Sequence, residues 1–294
     1  MLRSLYSGIG GMRGFQTKLD VIGNDISNVN TPGYKKSRVE FQDILSQTMQ
    51  GGSAPAGTAP GTATTPAIGG TNPKQVGLGS TMASIDVIQT QGALQTTNVP
   101  TDLAVQGNGF FVVQDPSGGY HLTRAGNFGF DANGNLVNSN GYFVCDTSGN
   151  AIKLKTGNPA GLTINSMSDV TSFSIGKDGK ITVTDANGKT GTTSTGIGLS
   201  VVANPAGLEK EGNSLYKLTP SADPTNFSNP TATIKPANAG SAGQILAGEL
   251  EMSNTDLSEE FTDMIVAQRG FQANSRIITV SDSILQELVD LKRS

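Results

Sequence analysis

Cysteine is almost missing from this chain: its 294 residues include one, Cys145. No intrachain disulfide and no cysteine-based zinc site can therefore form, and the fold must stand on packing and hydrogen bonds. Cys145 continues the apolar run Tyr142, Phe143, Val144 with no basic neighbour, so a buried, inert thiol is expected. Histidine is as scarce. With His121 alone and no carboxylate pattern around it, a histidine-rich metal site or a histidine-based triad lacks its parts, and a strand or loop position beside Tyr120 and Leu122 is expected. Tryptophan is absent, aromatics are 5% and charged residues 15% of the chain, and the net charge is −4. That balance leaves no electrostatic footprint for nucleic acid or an acidic membrane, and the densest basic cluster, Lys35, Lys36 and Arg38, reads as a solvated turn. No apolar run approaches the length of a membrane span. Met1 to Met12 is periodic rather than continuously hydrophobic, so no cleavable secretion signal is expected there.

What the chain does have is concentrated at its ends. At the N-terminus Leu2, Leu5, Ile9, Met12, Leu19, Ile22, Ile26 and Val29 recur at helical steps with one longer gap, which puts them on one stripe. At the C-terminus Leu257, Met264, Phe271, Ile278 and Leu285 fall one heptad apart, and Phe261, Ile265, Ile277, Ile284, Leu288 and Val289 widen the face. The two stripes can cover each other as an antiparallel or coiled-coil pair about 45 Å long for thirty residues. Gly8, Gly10, Gly11 and Gly14 weaken the first helix, each interior glycine costing roughly 0.5–1 kcal/mol relative to alanine. Gln268, Ser275 and Asp282 fall at the second core position of the C-terminal heptads, so that stripe is imperfect as well. Such helices are marginal alone, and they are expected to order on assembly. The expected polymer-core packing residues are Leu5, Ile9, Met12, Leu19, Ile22, Ile26, Leu257, Phe261, Met264, Phe271, Ile278 and Leu285. An ordinary helical hairpin capping a monomeric domain is the blander alternative.

Between the ends the signals change. Pro32 and Gly33 oblige a turn, and residues 51–72 are almost wholly Gly, Ala, Thr, Ser and Pro, which reads as a flexible loop or extended arm. From Gln75 short apolar runs alternate with turns. Thr81–Thr90, Leu103–Val105, Phe110–Gln114, Tyr120–Thr123, Gly141–Cys145, Ile197–Val202 and Asn213–Leu218 read as strands. Ser117-Gly118, Asn133-Gly134, Ser148-Gly149, Asp178-Gly179 and Asn187-Gly188 supply the turns. Asp256 and Glu259 stand at capping-box spacing before the last helix. The fold class is therefore α+β. Residues 1–30 with 255–294 form a discontinuous helical core, 31–74 with 241–254 an extended connector, and 75–240 an inserted mainly-β domain.

Features that look chemical have plainer readings. Gln106-Gly107-Asn108-Gly109-Phe110 runs into an apolar strand rather than a helix N-terminus, so it reads as a tight turn and not a dinucleotide site. Glu259, Glu260 and Asp263 suit the first turns of a helix without any catalytic duty. Asp131, Asp146, Asp169, Asp178 and Asp185 mostly sit at turns, where Asp is expected anyway. No nucleophile has an identifiable base and orienting group, so no enzyme, no cofactor and no metal is expected. A wall-remodelling enzyme or carbohydrate-binding β domain is the alternative from another class, and it would need a cleft with two facing carboxylates.

Three stretches carry a resemblance: Leu19-Asp20-Val21-Ile22-Gly23-Asn24-Asp25-Ile26-Ser27-Asn28-Val29-Asn30-Thr31-Pro32-Gly33-Tyr34-Lys35; Asp102–Phe111 followed by Thr123-Arg124-Ala125-Gly126-Asn127-Phe128; and Leu250–Phe261 through Gln268–Arg276. Together they resemble the axial proteins of the bacterial flagellum, the rod and hook subunits. Asp25 stands where a second Asn is expected and Pro32 where other residues are usual. The resemblance implies that paired terminal helices line a hollow helical polymer with the β insertion outside, in the hook or basal body beyond the cytoplasmic membrane. It also implies partners: further copies of the chain, the adjoining rod and hook–filament junction proteins, a hook cap during assembly, and the flagellar type III export apparatus. Neither nucleic-acid binding nor membrane insertion is implied. Gln75-Val76-Gly77-Leu78-Gly79 with Gln91-Gly92-Ala93-Leu94-Gln95-Thr96-Thr97-Asn98 looks most like the short hook proteins of Gram-positive bacteria. The expectation is a hook subunit, a universal joint carrying torque from rod to filament, with a distal rod subunit as the alternative.

Overall fold

The computed structural model describes residues 2–54, 69–154, 170–227 and 230–293; most of the loop expected at 51–72, and Asp169, fall outside them. Among the described residues two α-helices flank a β-rich middle, which makes the chain α+β, and it divides into two compact units. One unit comprises residues 1–24, 37–86 and 258–294, the other residues 25–36 and 87–257.

In the first unit, the N-terminal stripe becomes helix α1, Leu2–Ser27, and the C-terminal heptads become α2, Leu257–Arg293. α2 begins directly after Asp256, where the sequence places its cap. After the Pro32-Gly33 turn the chain is extended: Ser37–Asp43 pairs with Ser80–Val87, and Gln47–Gln50 pairs antiparallel with Lys74–Val76. No helix among the described residues is long and apolar enough to cross a membrane.

The second unit is built on a nine-stranded sheet. Its central strand, Phe110–Gln114, is buried on both faces for most of its length, which is why Phe-Phe-Val-Val appears as a continuous apolar run rather than an alternation. It pairs antiparallel with Tyr120–Thr123, setting Phe111 opposite Thr123, and with Gly198–Ser200, setting Leu199 opposite Phe111. Phe111 packs edge-on against Phe128 at 5.1 Å, within a core of Leu103, Val105, Val113, Leu136, Val144 and Leu199. Phe110, Val112, Leu122, Cys145 and Tyr216 form a second core on the opposite face. Burial pushes the Cys145 thiol up to about 12, with the Asp146 charge adding to it. The hairpin Val170–Ile175 and Ile181–Asp185 turns at Asp178-Gly179 and pairs on with Thr190–Thr192. Gly179 has φ +77°, and a Cβ there would lie 3.0 Å from the Ile197 nitrogen, so this turn needs glycine both for conformation and for space. A further short strand, Ile234–Pro236, pairs with Gly198–Ser200.

Candidate assembly surfaces

The two helices of the first unit run antiparallel. Gly8 lies against Ile278, Gly11 against Asn274, Phe15 against Gly270 and Lys18 against Asp263, so rising numbers on α1 meet falling numbers on α2. The α1 glycines that look costly in the sequence each face something. A Cβ on Gly8 would sit 3.5 Å from Ile278 Cγ1, and one on Gly10 would sit 3.1 Å from the Ser80 carbonyl oxygen. One on Gly14 would sit 2.6 Å from Phe41 Cε1. At Gly10 and Gly14 the helix-propensity cost is set against close packing that a larger residue would crowd, whereas at Gly8 a Cβ would make an ordinary contact.

On α2 the buried positions are Glu260, Ala267 and Ser281, with Asn274 half-buried between them. These stand three residues after Leu257, Met264, Phe271 and Ile278. The sequence places the second core position four residues after them, at Gln268, Ser275 and Asp282; of these Gln268 and Asp282 are exposed and Ser275 is half-buried. The buried residues of α2 are small or polar, Ile278 meets Gly8 across the pair, and most of the other large apolar residues stay exposed. Phe261 is 51% exposed and Ile265 58%, and Ile277, Val280, Ile284, Leu288 and Val289 are exposed with them. Of the expected packing residues, Ile22 is buried, and Leu5, Met12, Leu19, Ile26, Met264, Ile278 and Leu285 are half-buried. Ile9, Leu257, Phe261 and Phe271 are exposed in the single chain. Burying an aliphatic or aromatic side chain of this kind contributes about 1.5–3 kcal/mol, so a run of exposed ones on a helix is a strong incentive to associate.

In the second unit all three motif stretches meet at one buried charge cluster. Lys35 Nζ donates to Glu251 Oε1 at 2.5 Å and to the Thr90 carbonyl at 2.7 Å, both charged side chains being wholly buried. Arg124 Nη1 donates to Glu251 Oε2 at 3.0 Å and Nη2 to the Gly107 carbonyl at 2.8 Å, while its guanidinium lies over the Phe110 ring. The Gly92 N–H also donates to Glu251 Oε1, at 3.0 Å. Burial lowers the Lys35 pKa, Glu251 opposes that shift, and Arg124 adds to it. Around this cluster the backbone is tied directly. Gly33 N–H donates to the Glu251 carbonyl at 2.7 Å, Lys36 N–H to Asn254 Oδ1 at 2.8 Å, and Asn254 Nδ2 to the Ile88 carbonyl at 2.9 Å. Tyr34 donates to the buried Asp25 at 2.6 Å, and Lys210 covers the Tyr34 ring while donating to the Lys35 carbonyl. Gly33 has φ +71°, and a Cβ there would lie 2.4 Å from the Ala125 nitrogen. The basic cluster that reads as a solvated turn thus contributes a fully buried lysine. The missed signal is its partner: Glu251 lies 216 residues away, beyond the reach of any local pattern.

Chemistry finds little purchase. A cavity of about 590 Å³ is lined by Gln114, Tyr120, Asp146, Asn150, Lys153 and Thr193. Its one carboxylate, Asp146, accepts from the Ser148 and Asn150 N–H groups of its own turn. His121 lies between Glu211 and Asp115 and stacks on Tyr142. Among the described residues no three His, Cys, Asp or Glu side chains are grouped to hold a metal ion.

Three family models match the chain in succession. They are the flagella basal body rod protein over residues 5–35, the flagellar hook protein FlgE/F/G D1 domain over 104–183, and the flagellar basal body rod FlgEFG protein C-terminal over 246–291. The flagellar basal-body rod protein FlgG of Bacillus subtilis (strain 168) is 51% identical over 293 residues, covering 100% of both chains. Two proteins of Borreliella burgdorferi also match. Its basal-body rod protein FlgG is 35% identical over 293 residues, 100% of both chains. Its flagellar hook protein FlgE is 30% identical over an alignment of 451 residues, 99% of this chain and 100% of that protein.

Proposed function

Because the chain belongs to the flagellar rod and hook protein family, and is thereby a structural subunit of the flagellar axis and not an enzyme, we propose that it is a distal rod subunit of the basal body. The carrying observation is the end-to-end match to rod proteins. In Borreliella burgdorferi, where both kinds of relative are at hand, the rod protein aligns over 293 residues and the hook protein only over 451. A hook protein of that kind therefore has a large insertion for which this chain has no counterpart. The hook-like look of residues 91–98 carries less weight, because Leu94–Thr96 pairs with Glu249–Glu251 next to the charge cluster and so serves the unit's own fold.

Family membership implies self-polymerisation. The exposed apolar residues of α2 supply the surface for it. The proposed partners are further copies of the chain, the adjoining rod and hook subunits, and the export apparatus that delivers it. Deleting the gene and imaging purified basal bodies tests the assignment. A rod truncated before its distal segment is expected; a complete rod lacking a hook would restore the hook reading, and an intact rod and hook would remove both.

A further inference from the structure

We propose that the register of the α1–α2 pair is set by two reciprocal keys: Phe15 seated on Gly270, and Asn274 seated on Gly11. A Cβ at Gly270 would lie 2.6 Å from Phe15 Cζ, and one at Gly11 would lie 2.9 Å from both Nδ2 and Oδ1 of Asn274. Each helix thus offers a glycine and, four residues later, a side chain: Gly11 and Phe15 on α1, Gly270 and Asn274 on α2. Residues four apart share a face one turn on, so in an antiparallel pair each key meets the other helix's vacant position. The Asn274 amide is held in place by donating to the Gly270 carbonyl at 3.0 Å, which makes it a fixed shape rather than a side chain free to yield.

A polar residue at a helix seam is a known device for choosing one register over others at some cost in stability. Sliding α1 by one turn would set Phe15 against Val266 or Asn274. A slip of three residues could give Asn274 a new seat at Gly8, but Phe15 would then meet Ala267. The observed register seats both keys. Its consequence for assembly is geometric: the register decides how the exposed α2 residues, Ile265 and Val280 among them, are placed along α1. This consequence rests on the helix pair being the polymer's core; the keys themselves do not.

The test is a pair of compensating cycles. Gly270→Ala and Gly11→Ala each raise intrinsic helix propensity, so a loss in either is diagnostic of a filled seat. Phe15→Leu removes the ring tip that Gly270 accommodates, and Asn274→Ala removes the amide that Gly11 accommodates. Spin labels at the exposed Gln16 and Gln286, which are well separated along the pair axis, in chains diluted into excess wild-type subunits, report the register as a distance, and one turn of slip moves it by about 5 Å. The buried Cys145 leaves the engineered thiols as the reactive ones. Each alanine variant is expected to shift the label distance or to lose at least tenfold in incorporation, and each cognate double variant to restore both readouts. Unshifted distances with normal incorporation in both alanine variants, or failure of both doubles to restore, would overturn the keys. A shifted distance with normal incorporation would uphold the keys and remove the helix pair from the assembly contacts.

Discussion

At the residue scale, Glu251 holds the buried charge cluster of the β-rich unit together. It satisfies two buried cations and one backbone N–H, and its own carbonyl accepts from Gly33. Replacing one partner of such a cluster is costly, because the remaining charges stay buried without compensation; losses of about 3–5 kcal/mol are usual. Glu251→Gln leaves Lys35 and Arg124 as two like charges in one pocket. It is expected to lower the unit's unfolding free energy by about that amount, while Lys35→Met with Glu251→Met costs less than the two single changes summed. Chemical denaturation, followed through the reactivity of the buried Cys145 thiol, measures both. An additive double variant would show that the ion pair is incidental to the fold.

At the element scale, α2 presents two different faces, and the difference is testable. Ile278 faces α1 beside Gly8, whereas Ile265 and Val280 are exposed. Ile278→Asp buries a charge without a partner and is expected to disrupt the helix pair itself. Ile265→Asp combined with Val280→Asp is expected to leave helix content unchanged and to reduce polymer yield at least tenfold, as read by circular dichroism and sedimentation. The existence of both helices was legible in the sequence from heptad spacing alone. So were the β turns: Gly118, Gly134, Gly149, Gly179 and Gly188, each the second residue of an anticipated turn, all have positive φ. The intrachain seam was legible only in part: heptad spacing marks Ile278, which faces Gly8, but hydrophobic periodicity does not mark Gly270 and Asn274, which meet Phe15 and Gly11. The Lys35–Glu251–Arg124 cluster was not legible, because its members come from three distant segments and meet only when the second unit closes.

At the scale of the whole molecule, the two units divide the work of an axial subunit. The β-rich unit carries the two apolar cores and the charge cluster, and these close within a single chain. The helical unit leaves many of its larger apolar residues exposed, Phe261, Ile265 and Val280 among them, and neighbouring copies are their proposed cover. On this division, assembly is completed on the terminal helices while the β unit is already formed in the single chain. Hydrogen exchange of the free chain against its polymer tests this directly. Slowed exchange on assembly is expected to concentrate in Leu2–Ser27 and Leu257–Arg293, with Phe110–Gln114 and Gly198–Ser200 equally protected in both states. New protection confined to the β strands, with α2 exchanging as freely in the polymer as in the free chain, would contradict it.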